Sequence, residues 1–448
     1  MVTLNAAWAL LDEGFVPGVR IRVDDAGRIA EVSRGADGGE ALDVVLPGMS
    51  NLHSHGFQRV FAGLTNHSAA GGDFWTWRDA MYRAAARMTP ELYAPVYAWL
   101  AKELLKGGYT WTAEFHYLHH QPGGAAYAPA TAMAEAVAQG AARAGMGLTL
   151  LVGVYETAGF DAAPLGKGQL RFRNNAVGAL NMAAALRARG GDGFAVGLAL
   201  HSLRAVPAAS LREAVAGFCA QGGGPIHIHA AEQVAEVEAC RAALGAAPVE
   251  WLLDNAPVDA GWCLVHATQA EAEEIAGVAR CGAVVGLCPS TEADLGDGLF
   301  DLPALQAGGG VFGIGSDSNV MTDAFSELRL LEYGQRLKLR RRNVAAGAGG
   351  HVGAAVWQAA SRGGAVACGG GMGRIAVGCR ADLVVLERQA EVLDGAPDFV
   401  LDAAIFAPVS RSVRHVMTGG VWRVRDGAHV AESAVNAAYA AALRRLKE

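Results

Sequence analysis

Eight short apolar runs, each closed by a His, Glu, Asp or Pro and separated by longer connecting segments, constrain this chain more than anything else in it. The runs end near His55, His116, Glu156, His201, His229, His266, Pro289 and Asp317. Alanine-rich stretches between them, such as 90–106 and 125–144, read as helices. Strands that alternate with helices pair in parallel, and eight such units close into an α/β fold, a (β/α)8 TIM-like barrel. An open doubly wound sheet would need a glycine-rich phosphate loop after the first strand, and none follows His55. Such a barrel presents its chemistry at the C-terminal strand ends, where these polar residues fall.

The two chain ends have a different texture. The first ~45 residues alternate apolar and polar positions, as in Val19-Arg-Ile-Arg-Val, and reach a turn at Asp25-Ala-Gly. The same pattern returns in Ala381–Leu386 and again from Val413 to Val424. Both ends are therefore expected to meet in one small β-sandwich domain. Residues 1–47 and 372–448, the latter with a terminal helix, would flank a catalytic barrel of residues 48–371.

Composition narrows the partners. At 448 residues and 52% hydrophobic, the chain has material for a large core. A net charge of −7 disfavours general nucleic-acid binding. The one basic run, Arg336-Leu-Lys-Leu-Arg-Arg-Arg, reads as a solvated helix end. No apolar stretch reaches the ~18 residues of a membrane helix, and the N-terminus lacks the basic-then-apolar order of a signal peptide. A cytoplasmic enzyme without membrane partners is the expectation. Seven cysteines without a C-x-x-C fit a reducing compartment.

Within the runs, His53 and His55 form an H-x-H pair whose alternate side chains share one strand face. Alone, such a pair is weak evidence, because strand-end histidines are commonly just hydrogen bonded. Here it is joined by His229 from the fifth strand and Asp317 from the eighth. Three imidazoles and a carboxylate suit one divalent metal ion per chain, zinc above all, with a position left for water. A metal there lowers the water's pKa to roughly 7. No lysine ends the fourth strand, where a second metal would need a carbamylated bridge; His201 stands there instead. Glu232, three residues past His229, is placed to shuttle protons, although a carboxylate at a helix start is also favoured by the helix dipole. His266 would orient the water or polarise the substrate, and Asp317 would both bind metal and accept a proton. His227 faces away from His229 and is expected in the core. His67, His351, His415 and His429 have no assigned part. Cys263 and Cys288 read as small core residues, and Cys288-Pro289 as the shaped end of the seventh strand.

Together the H-x-H, H-x-x-E, lone His and Ser-Asp set resembles the amidohydrolase superfamily in its single-metal deaminase branch, over nearly the whole chain. Finer segments are similar to the formimidoylglutamate deiminases. They are Asn51-Leu-His-Ser-His-Gly-Phe-Gln-Arg, Asp73-Phe-Trp-Thr-Trp-Arg, Glu114-Phe-His-Tyr-Leu-His-His, Leu200-His-Ser-Leu-Arg-Ala-Val-Pro and Ser326-Glu-Leu-Arg-Leu-Leu-Glu-Tyr-Gly-Gln-Arg-Leu. That resemblance implies hydrolysis of N-formimino-L-glutamate, in histidine degradation, by metal-activated water at the formimino carbon. It implies metal ligands His53, His55, His229 and Asp317, catalytic Glu232, His266 and Asp317, and a homodimer. It maps substrate contacts to Gln58, Arg78, Tyr117, His201 and Arg204. Arginine binds carboxylate bidentately, so Arg78 and Arg204 suit a small dicarboxylate, with Arg78 and Arg83 competing for one role. Trp75, Trp77 and Tyr117 would wall the pocket. The alternatives are N-formimino-L-aspartate, one methylene shorter, and a ring deaminase or chlorohydrolase using the same machinery.

Overall fold

The computed structural model describes every residue except 36–37, 67–73, 348, 388–394 and 409–411, and leaves out the side chains of 74–76. Its strands form two eight-stranded sheets. One sheet is the expected barrel. Its strands run in chain order as Met49–Ser54, Tyr109–His116, Gly147–Val154, Phe194–Leu200, Ile226–Ala230, Trp262–His266, Val284–Leu287 and Val311–Ile314, numbered here one to eight. Each pairs in parallel with the next. Beyond strand eight the barrel is closed onto strand one. The Asp317 amide donates to His53 O at 2.9 Å, and the His55 amide donates to Asp317 O at 2.9 Å.

Closure needs small residues on strand eight. A Cβ on Gly315 would lie 2.8 Å from His53 Cβ and 3.0 Å from its backbone nitrogen, so only glycine lets the strands meet there. Two residues earlier, the bare face of Gly313 accepts the side chain of Leu52, which is fully buried inside the barrel. Burying such a leucine contributes about 1.5–3 kcal/mol. The metal-ligand candidates flanking Leu52 thus sit on a strand anchored from within.

The second sheet is built from both chain ends, in the order 428–429, 421–425, 413–418, 383–386, 40–47, 2–11, 14–23, 29–34. Leu383–Leu386 runs antiparallel to Glu40–Pro47 and so joins the C-terminal part to the N-terminal part. The strands are hydrogen bonded in one continuous sheet rather than two, with a separate core that includes Leu4, Ile21, Val45, Leu383 and Val385. It is mixed, because Val2–Leu11 pairs in parallel with Glu40–Pro47.

The helix expected over 90–106 is present as Pro90–Lys106. That expected over 125–144 begins only at Ala132. Pro129 keeps the residue before it out of the helical region, which delays the start. The basic run ends the helix Ala324–Leu339, with residues 337–343 exposed. The terminal helix Glu432–Lys447 packs back on Pro90–Lys106, with Tyr439 stacked on Trp99 at 4.4 Å. Among the described residues no helix is long and apolar enough to cross a membrane.

Candidate active site

The C-terminal strand ends bring His53, His55, His229, His266 and Asp317 together, each buried. His55 Nδ1 lies 3.0 Å from Phe115 O, and His229 Nδ1 lies 2.8 Å from His201 O. A carbonyl only accepts, so both rings carry a proton on Nδ1 and turn a lone pair outward at Nε2. Those two Nε2 atoms are 3.3 Å apart, and His229 Nε2 is 3.1 Å from that of His53. Asp317 Oδ1 lies 3.4 Å from His55 Nε2 and 3.5 Å from His53 Nε2. Lone pairs converging at this distance repel one another unless a cation lies between them. Ligands about 2.1 Å from a tetrahedral metal stand about 3.4 Å apart, which is the spacing found here. The donor set fits one divalent metal.

Protonation agrees with that fit. Burial pushes His53 down to about 3 and lowers His55 and His229 as well, keeping the rings neutral and able to ligate. Burial would raise Asp317, but the adjacent His53, His55 and His266 hold it below the ordinary carboxylate range. Burial likewise would lower His266. The carboxylates of Glu232, Glu292 and Asp317 outweigh it and push His266 up to about 10.

Glu232 follows strand five and stands 3.7 Å from His266 Nε2, with 18% of its side chain accessible. Burial pushes its carboxyl upward, so it can hold a proton near neutral pH. Asp317 Oδ2 lies 3.8 Å from the same His266 nitrogen. The backbone turns sharply where these groups are presented: His266 has φ 70° and Asp317 φ 44°. Left-handed non-glycine residues of this kind store strain and gather at functional sites.

Above the cluster opens a cavity of about 370 Å³ lined by His55, Gln58, Arg78, Tyr117, His201, Arg204, His229, Glu232, His266 and Asp317. It also takes in Trp77, Tyr82, Tyr155 and Phe172, of which the sequence reading named only Trp77. Gln58 donates to Tyr117 Oη at 3.1 Å, and the Tyr117 ring meets His55 edge-on at 4.9 Å. Arg78 lines the cavity, whereas Arg83 is exposed and absent from the lining. His67 and Asp73 lie outside the described residues, as does the side chain of Trp75.

Among the described residues, the other histidines expected to have no part are hydrogen bonded away from the site. His227 is bonded to Ala367 O at 2.8 Å, His351 to Asp402 at 2.7 Å and His429 to Ala144 O at 2.9 Å. The Asp426 amide donates to His415 Nδ1. Besides Tyr82, Tyr155 and Phe172, two polar residues at the site were missed. Glu292 accepts from His266 Nδ1 at 3.2 Å, and Asn319 donates to the carbonyls of His55 and Asp317 at 3.1 and 2.9 Å. A carboxylate just past the seventh strand is the signal that could have found Glu292, since the same placement singled out Glu232.

Barrel, donor cluster and the cavity above it define a hydrolase class. The sequence model of the amidohydrolase family matches residues 44–423, and the chain belongs to that family. It is 46% identical over 439 residues to the formimidoylglutamate deiminase of Pseudomonas aeruginosa, covering 96% of each. The crystal structure of an amidohydrolase from Brucella melitensis superposes with a TM-score of 0.95 at 42% identity, covering 100% of both chains. An adenosine deaminase from Xanthomonas campestris, solved with bound zinc, shares the fold at 22% identity and a TM-score of 0.80, covering 100% of this chain and 98% of its own.

Proposed function

We propose that this enzyme is a deiminase that hydrolyses N-formimino-L-glutamate to N-formyl-L-glutamate and ammonia, a reaction of histidine degradation. The observation that carries this reading is a small cavity with the His/Asp donor cluster at its floor and Arg78 and Arg204 in its lining. A volume of about 370 Å³ suits a small metabolite rather than a polymer. Two guanidinium groups suit its two carboxylates. The 46% identity to a formimidoylglutamate deiminase points the same way. Residues 48–371 then form the catalytic domain, and 1–47 with 372–448 the flanking one.

His53, His55, His229 and Asp317 would hold the metal, one zinc ion per chain. Once bound, it lowers the pKa of water towards neutrality and so supplies a nucleophile. The remaining chemistry belongs to side chains. Asp317 accepts a proton from the attacking water, and His266 holds that water in line with the formimino carbon. Glu232 delivers a proton to the imino nitrogen; the proton held by Asp317 then passes to the resulting amine, the hydroxyl proton returns to Glu232, and ammonia leaves as the tetrahedral carbon collapses to the formyl group. Arg78 and Arg204 clamp the carboxylates, while Gln58, Tyr117 and His201 fix the amidine end. A homodimer, which the family resemblance suggests, is tested by sedimentation equilibrium.

Glu232→Gln tests the proton shuttle. Turnover should fall about 10²–10⁴-fold, the usual worth of a positioned acid or base, while metal content stays unchanged. Normal turnover in that variant removes Glu232 from the reaction.

A further inference from the structure

The segment after strand seven, Cys288-Pro-Ser-Thr-Glu292, is more than a shaped strand end. Its Glu292 is 6% exposed and has two partners at one oxygen: His266 Nδ1 at 3.2 Å and the Cys288 amide, which donates at 2.9 Å. The two preceding residues are anchored elsewhere. Ser290 gives both its amide and its hydroxyl to the buried carboxyl group of Glu327. Thr291 Oγ1 lies 2.9 Å from the hydroxyl of Ser318, the residue after Asp317. Three consecutive side chains thus tie the helix Pro289–Leu295 to Glu327, to the Asp317 turn and to His266.

We infer that Glu292 is a positioning residue that fixes a proton on His266 Nδ1 and aims Nε2 into the cavity between Glu232 and Asp317. An ionised carboxylate only accepts, so towards Glu292 the imidazole is the donor. A ring free to turn would swing Nε2 away from Glu232 and Asp317. In a histidine-dependent reaction the partner at the far nitrogen decides both tautomer and orientation. Glu292 touches no substrate in this scheme and acts only through His266.

Only the kinetic arm of the test rests on the deiminase reading. Glu292→Leu should lower kcat for N-formimino-L-glutamate by about 10–100-fold, the usual loss when an orienting partner of a site histidine is removed. KM and bound metal should stay unchanged. Glu292→Gln keeps an acceptor oxygen and should restore kcat to within about threefold of the parent enzyme, which a role for the charge alone would not allow. A Glu292→Leu enzyme with unchanged kcat overturns the inference. The second arm needs no substrate and leaves Glu292 intact. Nitrogen NMR of the metal-loaded parent enzyme, labelled at histidine and assigned against His266→Gln, should show Nδ1 of His266 protonated. An unprotonated Nδ1 overturns the proposal even if the deiminase reading stands. A protonated Nδ1 with no formimino hydrolysis would instead fault the substrate and leave the positioning role intact.

Discussion

Asn319→Ala should destabilise the enzyme and loosen its metal together. Asn319 is fully buried, and its amide donates to His55 O, Asp317 O and Ser54 Oγ at 3.1, 2.9 and 3.2 Å. Its own oxygen accepts from Ser316 at 2.7 Å. Alanine loses all four bonds, to both carbonyls, Ser54 and Ser316, at about 1 kcal/mol each. The carbonyls are not wholly orphaned, since His55 O keeps the Gln58 amide and Asp317 O keeps the His55 amide. The backbone adds a further cost. Asn319 has φ 60°, a region asparagine visits readily and alanine only at about 1 kcal/mol or more. The total is about 5 kcal/mol of folding stability. Urea unfolding of metal-stripped and metal-loaded protein measures it, with zinc retention during dialysis as the second readout. The loaded form should lose more, because the backbone under two ligand candidates has lost its clamp. A loss below about 1 kcal/mol in both forms would refute the reasoning, being no more than one ordinary hydrogen bond.

Other consequences follow from the same geometry. Arg204→Met should raise KM for the dicarboxylate by about 10–100-fold, the worth of a charge-assisted bond, with a smaller change in kcat; an unchanged KM in steady-state assays would remove Arg204 from substrate binding. Chelation should abolish activity and zinc should restore it, and free zinc at about a thousand times its Kd should add about 4 kcal/mol of stability over the stripped protein. Glu327, fully buried, is pushed up to about 8 by burial from an ordinary value of 4.5. A carboxyl whose folded pKa is raised binds its proton more tightly in the folded state. Its contribution is therefore complete below pH 4.5 and is lost as pH rises towards 8. Glu327→Gln should flatten that part of the stability–pH curve measured by urea unfolding; an unchanged slope would contradict it.

The site candidates were legible because strand periodicity and chain order carry them. His53 and His55 share a face two residues apart, and His229, His266 and Asp317 each mark the end of an apolar run. The barrel follows from the same runs. Other features depend on contacts that local pattern cannot encode. Asn319 meets His55 from 264 residues away, and Glu292 reaches His266 across 26 residues and a helix. The late start of the helix at Ala132 was visible in Pro129 but hidden by an alanine-rich stretch that reads as helix throughout. The single mixed sheet depends on which edges of the two chain ends pair, and alternation of apolar residues does not specify that.

The most direct measurement is ammonia release by metal-loaded enzyme from N-formimino-L-glutamate, run beside N-formimino-L-aspartate. A pocket built for the longer dicarboxylate should prefer it by about 1–3 kcal/mol, roughly 10–200-fold in kcat/KM, for the one methylene. Rapid turnover of the glutamate compound with that preference is the expected result. No ammonia from either compound, with one metal bound per chain, would contradict it by discarding the dicarboxylate pocket while leaving the hydrolase.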